Sequence, residues 1–335
     1  PIVVFVKNLT VSFFEDLKSF CNRHETSLTG NSRLLWKFLI LSIPVLIVEW
    51  IIGKFSPMTK EISSLRLIQG AFKFILWVAG TKITVIGEEN VPKDTPVLYI
   101  GNHRSYFDIL LTYSRCPIRT GYVAKKEMEK IPLLSTWMKN LYCLFLDRDN
   151  MREGLKTILQ AIDYVKNGIS ICIFPEGTRN NGEELSMLPF RDGALKIAEK
   201  TGCAIIPISM NNTADIFEAH FPRVKKVHVV IEYGKPIYPK ELDKETRKHL
   251  GIYCHDLIQD TIKKNASLTK PITEKGTIMH SKNLTLLTDL YELTMMQGYY
   301  DKQDNPTVIF DVFYRSNPFS SGYAIAAGLE QVIGT

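Results

Sequence analysis

Two short stretches of the chain carry side chains whose types and order could do chemistry. The first is Asn102-His103-Arg104-Ser105-Tyr106-Phe107-Asp108. A histidine and an aspartate five residues apart can meet across a turn. The carboxylate then accepts from one ring nitrogen and leaves the other as a base. This is the His–Asp half of a nucleophilic triad, but no Gly-x-Ser-x-Gly elbow presents a serine beside it. The base is therefore expected to act on a substrate hydroxyl. Standing alone, the pair could equally be a helix cap or a satisfied core histidine. The second stretch is Phe174-Pro175-Glu176-Gly177-Thr178-Arg179. Gly177 lets backbone approach a ligand, Thr178 offers a hydroxyl, and Arg179 offers a planar fork suited to phosphate. Glu176 is expected to hold that arginine or a substrate hydroxyl, although a tight loop with a structural Glu–Arg pair would also account for the pattern. Two lesser pieces are Phe145-Leu146-Asp147-Arg148, which ends on another arginine, and Ile206-Pro207-Ile208. A proline inside an apolar strand demands an edge, a bulge or a chain end.

The elements around these stretches alternate. Apolar runs predict strands at 82–86, 96–100, 122–124, 141–146, 169–174, 204–210 and 227–233. Helical patterns lie at 108–113, 151–166, 192–200 and 241–265, with Asn167-Gly168 and Gly202 as stop signals. These units are too long for hairpins, so the fold class is α/β: a mixed, largely parallel sheet flanked by helices. His103 and Glu176 each follow a strand closely, where open α/β sheets gather their ligands. Two apolar segments precede the sheet. Residues 34–52 are interrupted by Lys37, Ser42, Pro44 and Glu49, with the proline in the middle. In residues 65–79 the polar Arg66, Gln69 and Lys73 fall on one helical stripe. Both segments are expected to lie in a membrane surface rather than cross it. The competing reading is an amphipathic helix packed on a soluble core.

Composition narrows the field further. The 335 residues are 45% hydrophobic and 23% charged, which excludes disordered and collagen-like classes. A mean hydropathy of −0.02 excludes a polytopic membrane protein. Six cysteines stand singly, with no CxxC pair, so a zinc knuckle or redox motif is not supported and reduced cytosolic thiols are expected. No ligand cluster implies a metal. The net charge of +6 is unevenly shared. Residues 279–335 hold three basic and six acidic side chains, a balance of −3, which leaves +9 on the part before them. A basic body suits an anionic membrane face or a phosphorylated substrate. Without a stacking motif, recognition helix or zinc finger, nucleic acid is not expected as a partner.

Taken together and in order, His-x-x-x-x-Asp, Phe-Leu-Asp-Arg, Phe-Pro-Glu-Gly-Thr-Arg and Ile-Pro-Ile resemble the glycerolipid acyltransferase family over about residues 30–265. Within it, the 1-acyl-sn-glycerol-3-phosphate acyltransferases look most alike. The resemblance implies His103 as general base on the glycerol hydroxyl and Asp108 as its orienting carboxylate. It implies Lys125 and Arg148 near the acceptor phosphate, Glu176, Gly177, Thr178 and Arg179 in the acceptor site, and Pro207 in shaping the site or the acyl-donor side. Lys126, next to Lys125, competes for that assignment. No cofactor is implied. Lysophosphatidate is the acceptor, and acyl-CoA or acyl-carrier protein is the acyl-donor substrate. The implied location is the cytoplasmic face of the cell membrane, held peripherally or in one leaflet by the two N-terminal helices. Another lysolipid acceptor, or a lipid-binding protein that keeps the fold without the reaction, are the alternatives; intact His103 and Asp108 favour the enzyme.

These readings divide the chain into an N-terminal region with membrane-associating helices at 1–80, an acyltransferase domain at 81–268, a linker at 269–278 and a separate segment at 279–335. Because the sequence opens on Pro1, its start is expected to be trimmed or the gene to be a fragment. The last segment contains Thr288-Asp289-Leu290-Tyr291 and resembles the N-terminus of nicotinate phosphoribosyltransferase over 283–331. It is expected to be a short fused or misassembled fragment of that second protein, contributing nothing to acyl transfer. The alternative is a bifunctional chain with a role in NAD biosynthesis.

Overall fold

The computed structural model describes residues 39–191, 193–221 and 223–269. The chain divides into two units, Pro1–Thr273 and Glu274–Thr335. The second unit, with the resemblance at 283–331, lies outside the described residues, as do 1–38 and Cys21.

Seven strands form one sheet in the order β1-β7-β6-β2-β5-β3-β4. They are β1 (Lys82–Ile86), β2 (Leu98–Gly101), β3 (Thr120–Lys125), β4 (Leu144–Leu146), β5 (Ser170–Ile173), β6 (Ile205–Asn211) and β7 (His228–Tyr233). All neighbouring pairs are parallel except β6 with β7. The sheet is thus mixed and largely parallel, as the alternation of patterns predicts.

The central strands are covered on both faces, which is why β2, β5 and β6 read as near-continuous apolar runs. Side chains alternate across a strand. Leu98, Ile100, Ile171, Ile173 and Ile205 point into a core closed by three helices: α5 (Met151–Lys166), α6 (Lys196–Thr201) and α8 (Leu250–Asn265). Tyr99, Cys172, Ile206, Ile208 and Met210 face the other core, with α2 (Pro57–Val78), α3 (Phe107–Tyr113) and α4 (Leu134–Asn140). Helix α5 keeps the bounds its periodicity predicts, and the Asn150 side chain caps it by accepting from Arg152 and Glu153 backbone N–H groups.

Several boundaries move for local reasons. Residues 141–143 form the turn after α4, with Tyr142 at φ 59°, so β4 begins only at Leu144. The 192–200 pattern is helical only from Lys196. The expected helix over 241–265 is two helices. The Asp243 carboxylate caps α7 (Lys244–Lys248), and His249 at φ −112° and ψ 30° breaks the helix. That break turns Leu250, Cys254, Ile258 and Ile262 onto one buried stripe against the sheet.

The N-terminal segments also read differently in three dimensions. Pro44 sits in the first turn of α1 (Ile43–Phe55), where a missing N–H costs nothing, and not inside a helix. Glu49 is buried and accepts from the Ser63 and Ser64 hydroxyls of α2, at 2.6 and 3.0 Å. Gln69 is no part of an exposed stripe. It is buried and donates to the Tyr113 and Cys116 carbonyls at 3.3 and 2.7 Å. Helix α2 therefore turns Leu65, Ile68 and Leu76 to the core. Within these N-terminal segments the exposed apolar side chains belong mainly to α1, among them Ile47, Val48, Trp50, Ile51 and Phe55, with Trp50 61% and Phe55 87% exposed. Among the described residues no helix is long and apolar enough to cross a membrane.

Candidate functional site

The site is assembled by the two loops that leave β2 and β5. These strands are hydrogen-bonded neighbours, so residues just past their ends meet. The His103 Nδ1 lies 2.8 Å from Asp108 Oδ2, the contact that the five-residue spacing predicts. Asp108 is fully buried and opens the first turn of α3. Its Oδ2 also accepts from the backbone N–H groups of Arg104 and Ser105, at 2.7 and 2.8 Å. A carboxylate held by three donors fixes the ring orientation and places the imidazole proton on Nδ1, leaving Nε2 as the basic nitrogen. The ring stacks on Phe174, with centroids 4.3 Å apart and planes 10° apart, and its side chain is 16% exposed.

Both backbone groups of His103 are clipped to the second loop. Its N–H donates to Glu176 Oε1 at 2.7 Å, and its carbonyl accepts from the Asn180 N–H at 2.7 Å. Glu176 Oε2 accepts from the Leu188 N–H at 2.8 Å. Glu176 thus holds neither Arg179 nor a free surface. It is a buried staple between loops, and burial pushes its carboxyl above the ordinary range despite the two backbone donors. Arg104 does similar work: its buried guanidinium donates to the Gly182 and Glu183 carbonyls, both at 2.8 Å. On the other side, Asn102 exchanges two hydrogen bonds with the Met210 backbone of β6, both 2.9 Å.

Gly177 has φ 74°, a conformation costly for any side chain, and a Cβ there would stand 2.7 Å from Arg191 Nε. Arg191 was not legible from any motif. It stands outside the four blocks, and only the folded loop brings it against Gly177. Arg148, two residues past β4 and exposed, has its pKa lowered first by partial burial and then by the charge of Arg191. Arg191 itself lies against the glycine turn. Lys125 ends β3 next to β4 and pairs with Glu127 at 3.2 Å, while Lys126 turns to Glu129 at 2.8 Å. Thr178 is exposed.

Arg179 is already engaged. It donates to Glu218 Oε1 and to the Tyr106 hydroxyl, both at 3.1 Å, and its guanidinium lies 3.8 Å from the Tyr106 ring centroid. Glu218, more than a hundred residues from the histidine loop, carries no spacing signal that sequence reasoning could use. Pro207 lies outside this cluster. It sits on β6 and lines a groove of about 610 Å³ with Gly234, Ile237 and Ile258. The expected bulge is there. The β6–β7 register pairs Ile208 with Tyr233, whereas Ile205 pairs with Ile237, one residue out of step. Pro207, without an N–H, falls at the break, and its carbonyl accepts from Gly234 N–H at 2.8 Å.

The model of the acyltransferase family matches residues 82–211, which contain every residue of the cluster except Glu218. A 1-acyl-sn-glycerol-3-phosphate acyltransferase of Haemophilus influenzae is 32% identical over 180 residues, covering 52% of this chain and 73% of that one. This chain belongs to the 1-acyl-sn-glycerol-3-phosphate acyltransferase family. A relative of that name in Borreliella burgdorferi is 36% identical over 157 residues, with 46% of this chain and 61% of that protein covered, so the chain spans less than two thirds of that relative. A solved 1-acyl-sn-glycerophosphate acyltransferase from Thermotoga maritima superposes with a TM-score of 0.56 at 24% identity, covering 66% of this chain and 87% of that one, and shares the fold. The N-terminal domain model of nicotinate phosphoribosyltransferase matches residues 286–335, beyond the acyltransferase part.

Proposed function

We propose that the protein transfers a fatty acyl group from a thioester donor to the free hydroxyl of 1-acyl-sn-glycerol-3-phosphate, giving phosphatidic acid. The observation that carries this reading is the His103–Asp108 contact of 2.8 Å with Nε2 left over. Nε2 takes the proton as the acceptor oxygen attacks the thioester carbonyl, and the thiol leaves with a proton. No acyl-enzyme is needed, since among the described residues no activated nucleophile is hydrogen-bonded to the base. General base catalysis of this kind supplies roughly 10²–10⁴-fold. Binding the acceptor in place supplies further rate, because its freedom is lost before the chemical step.

Arg148 and Arg191 receive the phosphate in this reading, with Lys125 at the rim. Two guanidiniums in mutual repulsion gain most from a dianion between them. Arg179 and Thr178 complete the acceptor side, since a guanidinium has more donors than the two contacts of Arg179 use. Pro207 shapes β6 beneath the site and makes no contact with the reacting atoms. The donor is acyl-CoA or acyl-carrier protein. The enzyme works on the anionic cytoplasmic face of the cell membrane, and the exposed row Ile47, Val48, Trp50, Ile51 and Phe55 enters one leaflet. The test is acyl transfer by the full chain, offered several lysolipids and both donor types. Transfer to lysophosphatidate above other lysolipids is expected, and its absence with either donor overturns the reading.

A further inference from the structure

Besides Glu176, which holds the His103 N–H, two carboxylates grip the histidine loop, and only Asp108 of these two belongs to a motif. Asp108 holds the loop from within, through Arg104 N–H, Ser105 N–H and the imidazole. Glu218 holds it from outside. Its Oε2 accepts from Ser105 Oγ at 2.6 Å, and its Oε1 accepts from Tyr106 N–H at 2.7 Å and from Arg179 NH1 at 3.1 Å. Ser105 Oγ accepts in turn from Phe107 N–H at 3.0 Å, which fixes the entry into α3, the helix that carries Asp108. The Glu218 side chain is only 14% exposed, so its pairing with Arg179 is less screened than a surface pair.

We infer that Glu218 is a positioning residue for acyl transfer. It locks the loop that carries the base to the arginine of the acceptor side, so that the two keep one relative geometry. This rests on the acyl-transfer reading above, and it assigns a part to a residue beyond both sequence blocks. The physical argument is a division of labour along one carboxylate. The contacts to Ser105 and Tyr106 act on the base through the backbone, independently of which acceptor is bound. The charge on Arg179 acts only through an acceptor that carries phosphate. Substituting Glu218 must therefore touch two kinetic parameters in two separable ways.

The experiment uses the full chain in mixed micelles with an acyl thioester, and varies lysophosphatidate or, in parallel, a monoacylglycerol without phosphate. Glu218→Gln keeps an accepting oxygen for the loop but removes the charge. It frees Arg179 of its counter-charge and is expected to lower KM for lysophosphatidate about tenfold, near what a charge-assisted hydrogen bond is worth, and to leave KM for monoacylglycerol unchanged. Glu218→Ala also releases the loop and is expected to lower kcat with both acceptors. A merely structural role would lower thermal stability and leave the KM ratio between the two acceptors where it was. If Glu218→Ala keeps kcat and both KM values within about twofold of wild type on folded protein, the inference is overturned. If the wild type itself does not acylate lysophosphatidate, the functional reading fails instead. Amide hydrogen exchange then decides the inference alone. Exchange at Tyr106 and the neighbouring backbone should quicken in Glu218→Ala, and unchanged exchange refutes the grip.

Discussion

The loop after β2 and the rim around β4 lie at one end of the sheet and are built on opposite terms. In the first, both backbone groups of His103 are bonded, Asp108 takes three donors on one oxygen, and Glu176 and Arg104 staple the loop to its neighbour. In the second, the charge of Arg191 acts on Arg148, and Arg148 is exposed. On the acyl-transfer reading proposed above, the group that moves the proton is held rigidly, because a base displaced by an ångström loses its rate. On the same reading one cation of the acceptor side is exposed and acted on by a like charge, and such a cation gains more from a phosphate than one already satisfied. The difference teaches that, on this reading, the site separates holding the catalyst from attracting the substrate.

The largest effect expected from breaking this division is at the base. His103→Ala should lower kcat by roughly 10²–10⁴ and leave KM for the acceptor near its wild-type value. Circular dichroism should be unchanged, because the backbone grip on residue 103 does not use the ring. Near-normal turnover would remove His103 as the base. On the cation side the split should invert. Arg148→Ala or Arg191→Ala should raise KM for lysophosphatidate about tenfold while kcat stays close, and monoacylglycerol kinetics should not change. Equal losses with both acceptors would show that these arginines hold the loop and not the phosphate.

A third, smaller effect concerns attraction to the lipid surface. Trp50→Glu with Phe55→Glu removes two exposed apolar side chains of α1. Vesicle sedimentation should show binding weakened by at least about tenfold, since burying one such side chain is worth about 1.5–3 kcal/mol. Undiminished binding would place the membrane contact elsewhere. The smallest effect tests the rigid half through pH. Burial raises the Glu176 carboxyl, so the folded state holds a proton that the unfolded chain has released. Wild-type stability through this group is thus greatest below the ordinary carboxylate pKa and falls as pH rises through the raised one. Glu176→Gln does not titrate. Denaturation curves from about pH 4 to about pH 7 should show the difference between the two shifting toward the variant with rising pH. A constant difference would mean that Glu176 ionises normally.

Much of this was legible in the chain, and particular residues show why. The bounds of α5 follow from period, cap and stop signal, all local. His103–Asp108 follows from spacing at a strand end, and the bulge at Pro207 from a missing donor. What was not legible depends on partners distant in sequence. Gln69 looks like part of a polar stripe until the Tyr113 and Cys116 carbonyls are set above it. Glu176 seems to belong to Arg179 until His103 and Leu188 claim its oxygens. Arg191 and Glu218 stand in no spacing with the residues they serve. The break at His249 inverts no polarity and leaves the helical pattern of 241–265 unbroken on paper.

One feature of the sheet bears on how the protein comes into being. Strand β1 follows directly on α2, yet its pairing neighbour is β7, with Lys82 set against His228 near the far end of the described residues. During synthesis β1 has no strand to join until almost the whole acyltransferase portion has left the ribosome. Pairings so remote in sequence close late, since the intervening chain must be ordered first. The α1–α2 arm, made earlier, stays untethered through its strand for that interval, with the exposed Trp50 and Phe55 already synthesised. If the proposed membrane contact of α1 holds, a nascent chain of this design meets a bilayer before its sheet is complete, and the last strand closes on a molecule already bound there.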